Sequence, residues 1–330
     1  MVLESFLTNN LTPTLVEEVE QFLDSQDTAH PFQFPQWVDP GSRLVLLRAS
    51  GRIGWAGVFS VHRPLGWKVP WIRAAGANRG PVGDDLKLWE AAAGLLVEEM
   101  RREGLAYLDV SPEWIHQSVA NRLSFFENTA WKCVDAQRVS LRLDLNPSVD
   151  ELFANFSKTT RYEVRRAERL GTTVTAATND AEVEEFLRLY SALSARKDFQ
   201  PDSLQRVRRQ IRCFMTAQSR GVLLLARADQ VIRGGAVVGR SGKRCWYIWG
   251  ASEKQQHLSV GHVLQWKALQ WAKSHGCTEY DFGGYTPGAT SGPAWFKAGF
   301  GGTAVHFVAP HRRVIRPGSY RVFSLLANIR

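Results

Sequence analysis

The order of predicted elements occurs twice along the chain, and this internal repeat constrains the fold more than any other feature. Leu44–Phe59 resembles two apolar strands joined by a turn at Ser50-Gly51, and Val222–Gly239 has the same pattern. More β-type sequence follows each strand pair, at Trp67–Ile72 and Cys245–Trp249. The offset between the copies is roughly 170–180 residues. A repeat at this spacing indicates two similar domains.

Each copy continues with an amphipathic helix, a glycine and a short strand. These elements are Leu86–Glu103 and Leu105–Val110 in the first copy, and His262–His275 and Cys277–Phe282 in the second. The order strand–strand–strand–helix–strand predicts an α/β fold with mixed sheets in both domains.

The domain boundary is predicted near Asn146-Pro147, where the strand-like run Val139–Leu145 gives way to a Pro-Ser turn and a helix. The first domain is then 1–146 and the second 147–309. The tail, 310–330, is predicted to pack back on the first domain as a final helix.

Several classes of protein are disfavoured by the sequence. Met1–Gln21 carries four glutamates and lacks a basic region followed by an apolar one, so we expect no secretory signal and a cytoplasmic protein. No apolar stretch reaches the ~18 residues that a spanning helix needs. The four cysteines form no CxxC pair and the eight histidines include no HExxH spacing, which argues against a metal site or disulfide framework local in sequence.

Positive charge is concentrated in the second half of the chain. Residues 1–150 contain 14 Lys and Arg against 19 Asp and Glu, a balance of −5, whereas residues 151–330 carry +14. This asymmetry suggests a polyanionic partner, either nucleic acid, an anionic cofactor or a membrane surface. A merely solvated basic surface is the alternative.

A predicted helix at Phe156–Gly171 carries the most regular part of this charge. Its sequence is rich in Glu, Arg and Ala, and Gly171 is a suitable C-cap. The spacing i, i+3, i+7 and i+11 places four cations on one face: Lys158, Arg161, Arg165 and Arg169. Such a stripe could follow a phosphate backbone, or it could be an ordinary solvated face.

Two further segments could carry chemistry. Arg196-Lys197-Asp198-Phe199 precedes the helix breaker Pro201, and Arg196 could bind a phosphate or carboxylate. Glu279–Gly302 contains seven glycines and two prolines around Asp281, Tyr285, Trp295, Phe296 and its single cation, Lys297. We interpret it as a loop that turns tightly or approaches a ligand, with Lys297 facing a developing oxyanion or phosphate.

The segment Gln256–Gly261 resembles the loop Gln/Arg-x-x-Gly-x-Gly/Ala with which GNAT acyltransferases bind the pyrophosphate of acyl-coenzyme A. The first and last positions match. Ser259 stands where the middle glycine belongs, so this resemblance is incomplete.

Three ordered motifs, KTTRYEVRRAERLG from Lys158, LQWKALQWAKSHGCTEYDFGG from Leu264 and WFKAGFGG from Trp295, resemble the Fem (FemABX) family of aminoacyl transferases. The resemblance implies two tandem GNAT-like domains whose C-terminal tail returns to the first. The coiled-coil arm of some members has no counterpart in this sequence. The usual reaction of the family moves an amino acid from aminoacyl-tRNA to an amine, often on a peptidoglycan precursor.

The same resemblance implies roles for individual residues. The family's Phe-Lys pair falls on Phe296-Lys297, where the lysine steadies the tetrahedral intermediate, and Arg196 matches an arginine that contacts the acceptor. The run from Asp281 to Gly284 matches the strand end beside the active cleft. Tyr285 and Trp37 are further acceptor-binding candidates, although Gln33–Trp37 departs from the Gln-Ser-x-x-Trp segment of members that act on muramyl precursors.

The sequence therefore predicts a tRNA-dependent aminoacyltransferase with aminoacyl-tRNA as donor substrate and no other cofactor. In this hypothesis Lys297 stabilises the oxyanion, Asp281 is a weaker candidate for proton handling, and the stripe holds the acceptor stem. Two alternatives stay open. One is an acyl-coenzyme A N-acyltransferase acting on a sugar or an amino acid, and the other is a non-catalytic basic binding module.

Overall fold

The structure is a computed structural model that describes residues 1–115, 125–127, 129–197, 200–216, 220–253 and 258–327. The chain divides into two compact units, one formed by residues 1–138 with 306–330 and the other by 139–305. Each unit contains a seven-stranded mixed sheet.

The first unit contains strands β1 to β6 and β14 and helices α1, α2 and α9. Their bounds are β1 (Val2–Leu7), α1 (Pro13–Asp24), β2 (Arg43–Ala49), β3 (Arg52–His62), β4 (Ala74–Ala77), α2 (Leu86–Arg102), β5 (Tyr107–Val110), β6 (Trp131–Cys133), β14 (His311–Val314) and α9 (Pro317–Ala327). The strand order is β1-β2-β3-β4-β5-β14-β6. Only β4 and β5 are parallel, because α2 connects them as a crossover.

The second unit contains the remaining elements. Their bounds are β7 (Val139–Asp144), α3 (Val149–Asn155), α4 (Lys158–Arg169), β8 (Thr173–Ala176), α5 (Asp180–Lys197), α6 (Leu204–Thr216), β9 (Gly221–Ala228), β10 (Val231–Ser241), β11 (Arg244–Ser252), α7 (Val260–Ser274), β12 (Glu279–Gly284), α8 (Gly292–Ala298) and β13 (Thr303–His306). The strand order is β13-β7-β12-β11-β10-β9-β8, with β11 and β12 parallel. The repeated hairpins β2–β3 and β9–β10 lie where the sequence predicts them.

The second unit begins at Val139, before the predicted boundary at Asn146-Pro147. The reason is that β7 pairs antiparallel with β12, with Asp281 opposite Arg142, so this strand completes the second sheet. The tail belongs to the first unit. It adds β14, which the sequence analysis did not predict, between β5 and β6 before α9 begins.

Two other predictions differ from the structure. The predicted strand Trp67–Ile72 is a loop with a short 3-10 turn at Gly66–Lys68, and the chain pairs with β3 only from Ala74 onward. Pro70 has no N–H to donate to a sheet, which disfavours a strand there. The glycine-rich segment Glu279–Gly302 is only partly a loop. It includes α8, which has Pro293 in its first turn, where proline is well tolerated.

Candidate functional site

Strand β11 of the second unit extends beyond its pairing with β12. Their parallel register covers Arg244–Trp246 and Glu279–Asp281, after which β11 continues to Ser252. A cavity of about 280 Å³ lies along this part of β11. It is lined by residues of α5, β10, β11, α7 and α8. Small residues dominate the strand walls, namely Gly235, Ala236, Gly250 and Ala251.

A β-bulge in β11 determines which side chains face this cavity. Val238 pairs with Tyr247 while Val237 pairs with Trp249, so Ile248 is the extra residue. The shift puts Tyr247 and Gly250 on the same side of the sheet. A Cβ atom at Gly250 would collide with the hydroxyl of Tyr247, so glycine at this position makes room for the tyrosine ring.

Tyr247 is a neutral hydrogen-bonding group at physiological pH. Burial raises the pKa of Tyr247 to about 12, and a hydrogen bond from Gln265 opposes this rise only partly. Gln265 also accepts a hydrogen bond of 2.9 Å from the hydroxyl of Tyr280. Gln265 is 2% exposed, so this chain of three polar side chains crosses the core and ends at the cavity.

Phe296 lines the cavity from α8. Its ring meets the imidazole of His262 edge to face, with the centroids 4.8 Å apart. Burial lowers the pKa of His262, and the charge of Glu163 opposes this shift. His262 is therefore mainly a neutral imidazole at pH 7.

Lys297, the next residue on α8, points to the end of β12. Its Nζ atom donates a hydrogen bond of 2.7 Å to the carbonyl oxygen of Gly284. Burial lowers the pKa of Lys297 to about 8, although the negative charge of Asp281 opposes the shift. A lysine with this pKa is charged at pH 7 and can still release a proton at small cost, which suits either electrostatic stabilisation or proton transfer.

Asp281 is 1% exposed and has partners on both carboxylate oxygens. Arg142 Nε donates to Oδ2 at 3.0 Å, while Oδ1 accepts from the Ser140 hydroxyl and, at 2.8 Å, from the Gly283 N–H. These bonds join β7 to the end of β12. The geometry therefore favours a positioning function over the proton handling predicted from the sequence.

The four cations predicted to form a stripe share one face of α4. Lys158, Arg161, Arg165 and Arg169 form an open surface of this helix together with Tyr162 and Glu168. Arg161 also donates to the Ala154 and Phe156 carbonyls at the end of α3, so part of its donor capacity serves the fold.

The other three cations of the stripe are more available to bind a ligand. Arg165 lies 5.1 Å from the ring of Phe153. Lys158 and Arg169 are exposed and form no ion pair with the residues that the structure describes.

The beginning of α4 contacts the end of α8. The Ser157 N–H donates to the Gly299 carbonyl at 2.8 Å, and the hydroxyl of Thr160 occupies the position that a side chain at Gly299 would need. Gly299 follows Lys297 by two residues. The N-terminal end of α4, the helix that carries the stripe, therefore lies beside the helix that carries the lysine.

The predicted acceptor-binding residues belong to both units, Arg196 and Tyr285 to the second and Trp37 to the first. Arg196 lies at the end of α5 and donates to the Ser252 carbonyl at 3.3 Å, near the cavity edge that Ser252 and Lys197 help to line. Tyr285 follows Gly284 and is partly buried. Trp37 belongs to the first unit, where it is 1% exposed and stacks on Phe34. A tryptophan buried in this way packs the core and offers an acceptor no free surface.

Some residues named in the sequence predictions lie outside the described part of the chain. These are Asp198 and Phe199 after Arg196, and residues 254–257, which include the first two residues of the proposed pyrophosphate loop. Among the described residues, no cluster of three or more His, Cys, Asp or Glu could hold a metal ion, and no helix is long and apolar enough to cross a membrane.

Sequence reasoning missed Tyr247, Gln265 and Tyr162. Tyr247 was missed because the local sequence gives no sign of the bulge that directs it to the cavity. Gln265 was missed because it occurs in an otherwise apolar helix pattern. Tyr162 was detectable, because it stands 52% exposed among the cations of α4 and an aromatic residue between cations is typical of nucleic-acid surfaces.

Comparison with known proteins supports the resemblance seen in the motifs. The acetyltransferase (GNAT) domain family matches residues 154–297. A lipid II:glycine glycyltransferase of Staphylococcus saprophyticus is 39% identical over 51 residues, which cover 15% of this chain and 12% of that protein. The UDP-N-acetylmuramoylpentapeptide-lysine N(6)-alanyltransferase of Weissella viridescens is 22% identical over 149 residues, 44% of each chain. The alignments thus span less than half the length of these relatives.

The crystal structure of FemX has a TM-score of 0.81 with this chain at 16% identity, and the match covers 97% of this chain and 99% of that one. The chain therefore has the fold of FemX. A tandem GNAT protein from the clavulanic acid biosynthesis pathway matches with a TM-score of 0.57 at 12% identity, over 95% of this chain and 99% of that one. The predicted fold, two tandem GNAT-like domains with mixed sheets, is confirmed.

Proposed function

We propose that this Fem-like chain is an aminoacyltransferase that moves an amino acid from aminoacyl-tRNA to an amine and forms an amide. The observation that carries the proposal is the contact between α4 and α8. It brings the N-terminal end of α4, the helix that carries the four cations, beside the end of α8, the helix that carries Lys297. A duplex end presents closely spaced phosphates, which a row of Lys and Arg can follow.

The reaction needs little acid–base chemistry because the donor ester is already activated. The amine nitrogen attacks the ester carbonyl, the C–N bond forms and the bond to the 3′ oxygen breaks. The amine loses one proton and the leaving oxygen gains one. The Lys297 ammonium stabilises the oxyanion, and its pKa of about 8 also lets it supply the proton to the leaving oxygen and recover one from the amine.

The neighbouring residues have positioning functions in this proposal. Phe296 forms a wall of the cavity on β11, and the cavity receives the aminoacyl group. Asp281 keeps the end of β12 in place, so that the Gly284 carbonyl can orient Lys297. Tyr285, directly after Gly284, and Arg196, at the cavity edge, would contact the acceptor.

The acceptor is proposed to be the amine of a peptidoglycan precursor or of a small peptide. The first choice is supported by the two relatives, whose names give lipid II and a UDP-N-acetylmuramoylpentapeptide lysine as their acceptors. Trp37 has no part in this proposal because it is buried.

An acyl-coenzyme A N-acyltransferase is the second candidate. The matching family is described as an acetyltransferase domain, and the open strands β11 and β12 leave a cavity beside the beginning of α7. In this candidate the N-terminus of α7 would bind the diphosphate.

Transfer assays with the full chain distinguish the two donors. The purified protein is given a peptide-linked lysine acceptor and either charged tRNA or acetyl-coenzyme A, each with and without ribonuclease. Amide formation that requires charged tRNA and disappears with ribonuclease supports the proposal. Activity that uses acetyl-coenzyme A and survives ribonuclease contradicts it.

The Lys297→Ala variant tests the mechanism. We expect kcat to fall at least about tenfold, since a preorganised charge beside the oxyanion is lost. Lys243→Ala is the matched control, because Lys243 is an exposed lysine in the turn between β10 and β11. Equal kcat values for Lys297→Ala and wild type would contradict this role of Lys297, whereas a wild type that forms no amide with either donor would favour a non-catalytic binding module.

A further inference from the structure

The loop between β3 and β4 in the first unit exposes two tryptophans. Trp67 is 79% exposed and Trp71 is 58% exposed, although they are only four positions apart. Single exposed apolar residues are normal on protein surfaces, but two indole rings on one short loop are not. The loop itself is anchored, because Leu65 and Ile72 are buried in a local core cluster.

The same loop carries positive charge without any acid. Residues 62–73 include Arg63, Lys68 and Arg73 and contain neither Asp nor Glu. Arg63 and Lys68 are exposed. The Arg63 guanidinium lies 4.3 Å from the centre of the Trp67 ring, so that a cation and an aromatic face are held together at the surface.

Helix α9 packs against the same core cluster as this loop. Tyr320 and Phe323 of α9 pack against the cluster that contains Leu65 and Ile72. On its exposed side, α9 presents Arg321 and, one turn later, Leu325, which is 69% exposed. Like the loop, α9 has no acidic residue.

We propose that this surface, formed by Arg63, Trp67, Lys68, Trp71, Arg321 and Leu325, docks on a bilayer that contains anionic phospholipids. Tryptophan is enriched at the boundary between headgroups and hydrocarbon, and the neighbouring cations are attracted to anionic headgroups. An exposed leucine gains by entering the acyl region.

Other occupants fit less well. A second copy of the chain would bring two cationic surfaces together. Single-stranded RNA would stack on the indole rings and pair with the cations, but it would leave the aliphatic side chain of Leu325 without a suitable contact. The bilayer accommodates all three kinds of side chain.

Vesicle sedimentation with the full chain tests the proposal, and it needs neither donor nor acceptor. The vesicles are pure phosphatidylcholine or phosphatidylcholine with about one-third phosphatidylglycerol. We expect wild type to bind the anionic vesicles and to dissociate at high salt. The double variant Trp67→Ala/Trp71→Ala should bind about tenfold more weakly, because both interfacial rings are removed.

Two controls make the result specific. Leu95→Ala removes an apolar side chain from the same unit, 44% exposed on α2, and should bind like wild type. Lys158→Gln/Arg169→Gln weakens the cationic stripe of α4 and should also leave vesicle binding unchanged. Thermal unfolding of each variant checks that the fold is retained.

Three results would overturn the proposal. One is equal vesicle binding by the double tryptophan variant and wild type, and another is loss of binding in the α4 variant alone. The third is that the wild-type chain does not bind vesicles but dimerises or binds a single-stranded oligonucleotide through Trp67 and Trp71.

Discussion

The two sheets share one order of elements, but one is closed where the other is open. In the first unit, β4 pairs in parallel with β5 along its whole length, Ala74–Ala77 with Tyr107–Val110. In the second unit, the equivalent strand β11 has nine residues, and its parallel register with β12 covers Arg244–Trp246. The extra length of β11 forms one wall of the cavity.

The two units also differ in the size of the side chains that pack against these strands. The core of the first unit is filled by Trp55, Trp89 and Trp114, each at most 2% exposed, with the rings of Trp89 and Trp114 only 4.4 Å apart. The open end of the second sheet has Gly235 and Gly250 instead. One topology therefore gives a solid core or a candidate site, depending on the volume of a few side chains.

The comparison predicts that truncating a large side chain in the core of the first unit lowers the free energy of unfolding. Trp89→Ala should lower the free energy of unfolding by about 3–5 kcal/mol, since a large buried ring and its hydrogen bond to the Gly83 carbonyl are lost. Denaturant unfolding measures this change. Leu95→Ala on the same helix should stay within about 0.5 kcal/mol of wild type. Comparable effects of the two variants would show that the first core is not tightly packed.

The kcat of transfer in the second unit is predicted to depend on pH through the titration of Lys297. With a pKa of about 8, its ammonium fraction falls from about 90% at pH 7 to about 10% at pH 9, so kcat should drop about tenfold over this interval. Lys297→Arg keeps its charge and should remove this descending limb. A limb that persists in the arginine variant would assign the titration to another group.

Stability should change in the opposite direction over a related interval. The pKa of Lys297 is about 8 in the folded chain, below its ordinary value of 10.5, so the folded state binds fewer protons than the unfolded state between these values. This group therefore makes the fold more stable as pH rises from 8 to 10.5. A loss of rate above pH 8 cannot then be attributed to unfolding caused by Lys297.

Much of the fold could be predicted because it depends on local patterns. Apolar alternation defined the hairpins β2–β3 and β9–β10, and helical spacing placed Lys158 and Arg169 on one face. The predicted strand at Trp67–Ile72 was wrong. Tryptophan is a residue type typical of strands, but Trp67 and Trp71 are both exposed here. Strand β14 was missed because it pairs with β5, roughly 200 residues away in sequence.

The candidate site was predictable only in part. Phe296 and Lys297 were predicted from the glycine-rich segment and from the family resemblance, and both lie on α8. Tyr247 could not be placed, since a bulge changes which face a residue occupies without leaving a sequence signal. Two partners of Asp281, Ser140 and Arg142, lie 141 and 139 residues before it in sequence, so its full set of donors became visible only in three dimensions.

The smallest predicted change in stability concerns one glycine in each unit, Gly250 in the second and Gly94 in the first. Gly250→Ala should lower the free energy of unfolding by about 1 kcal/mol, because its Cβ atom must displace the Tyr247 ring. Gly94→Ala in α2 meets no atom within 4 Å and should stabilise the fold by about 0.5–1 kcal/mol, as expected for alanine inside a helix. If Gly250→Ala were neutral in stability while transfer activity fell, Tyr247 would be free to move into the cavity. Glycine at this position would then serve the cavity rather than the fold.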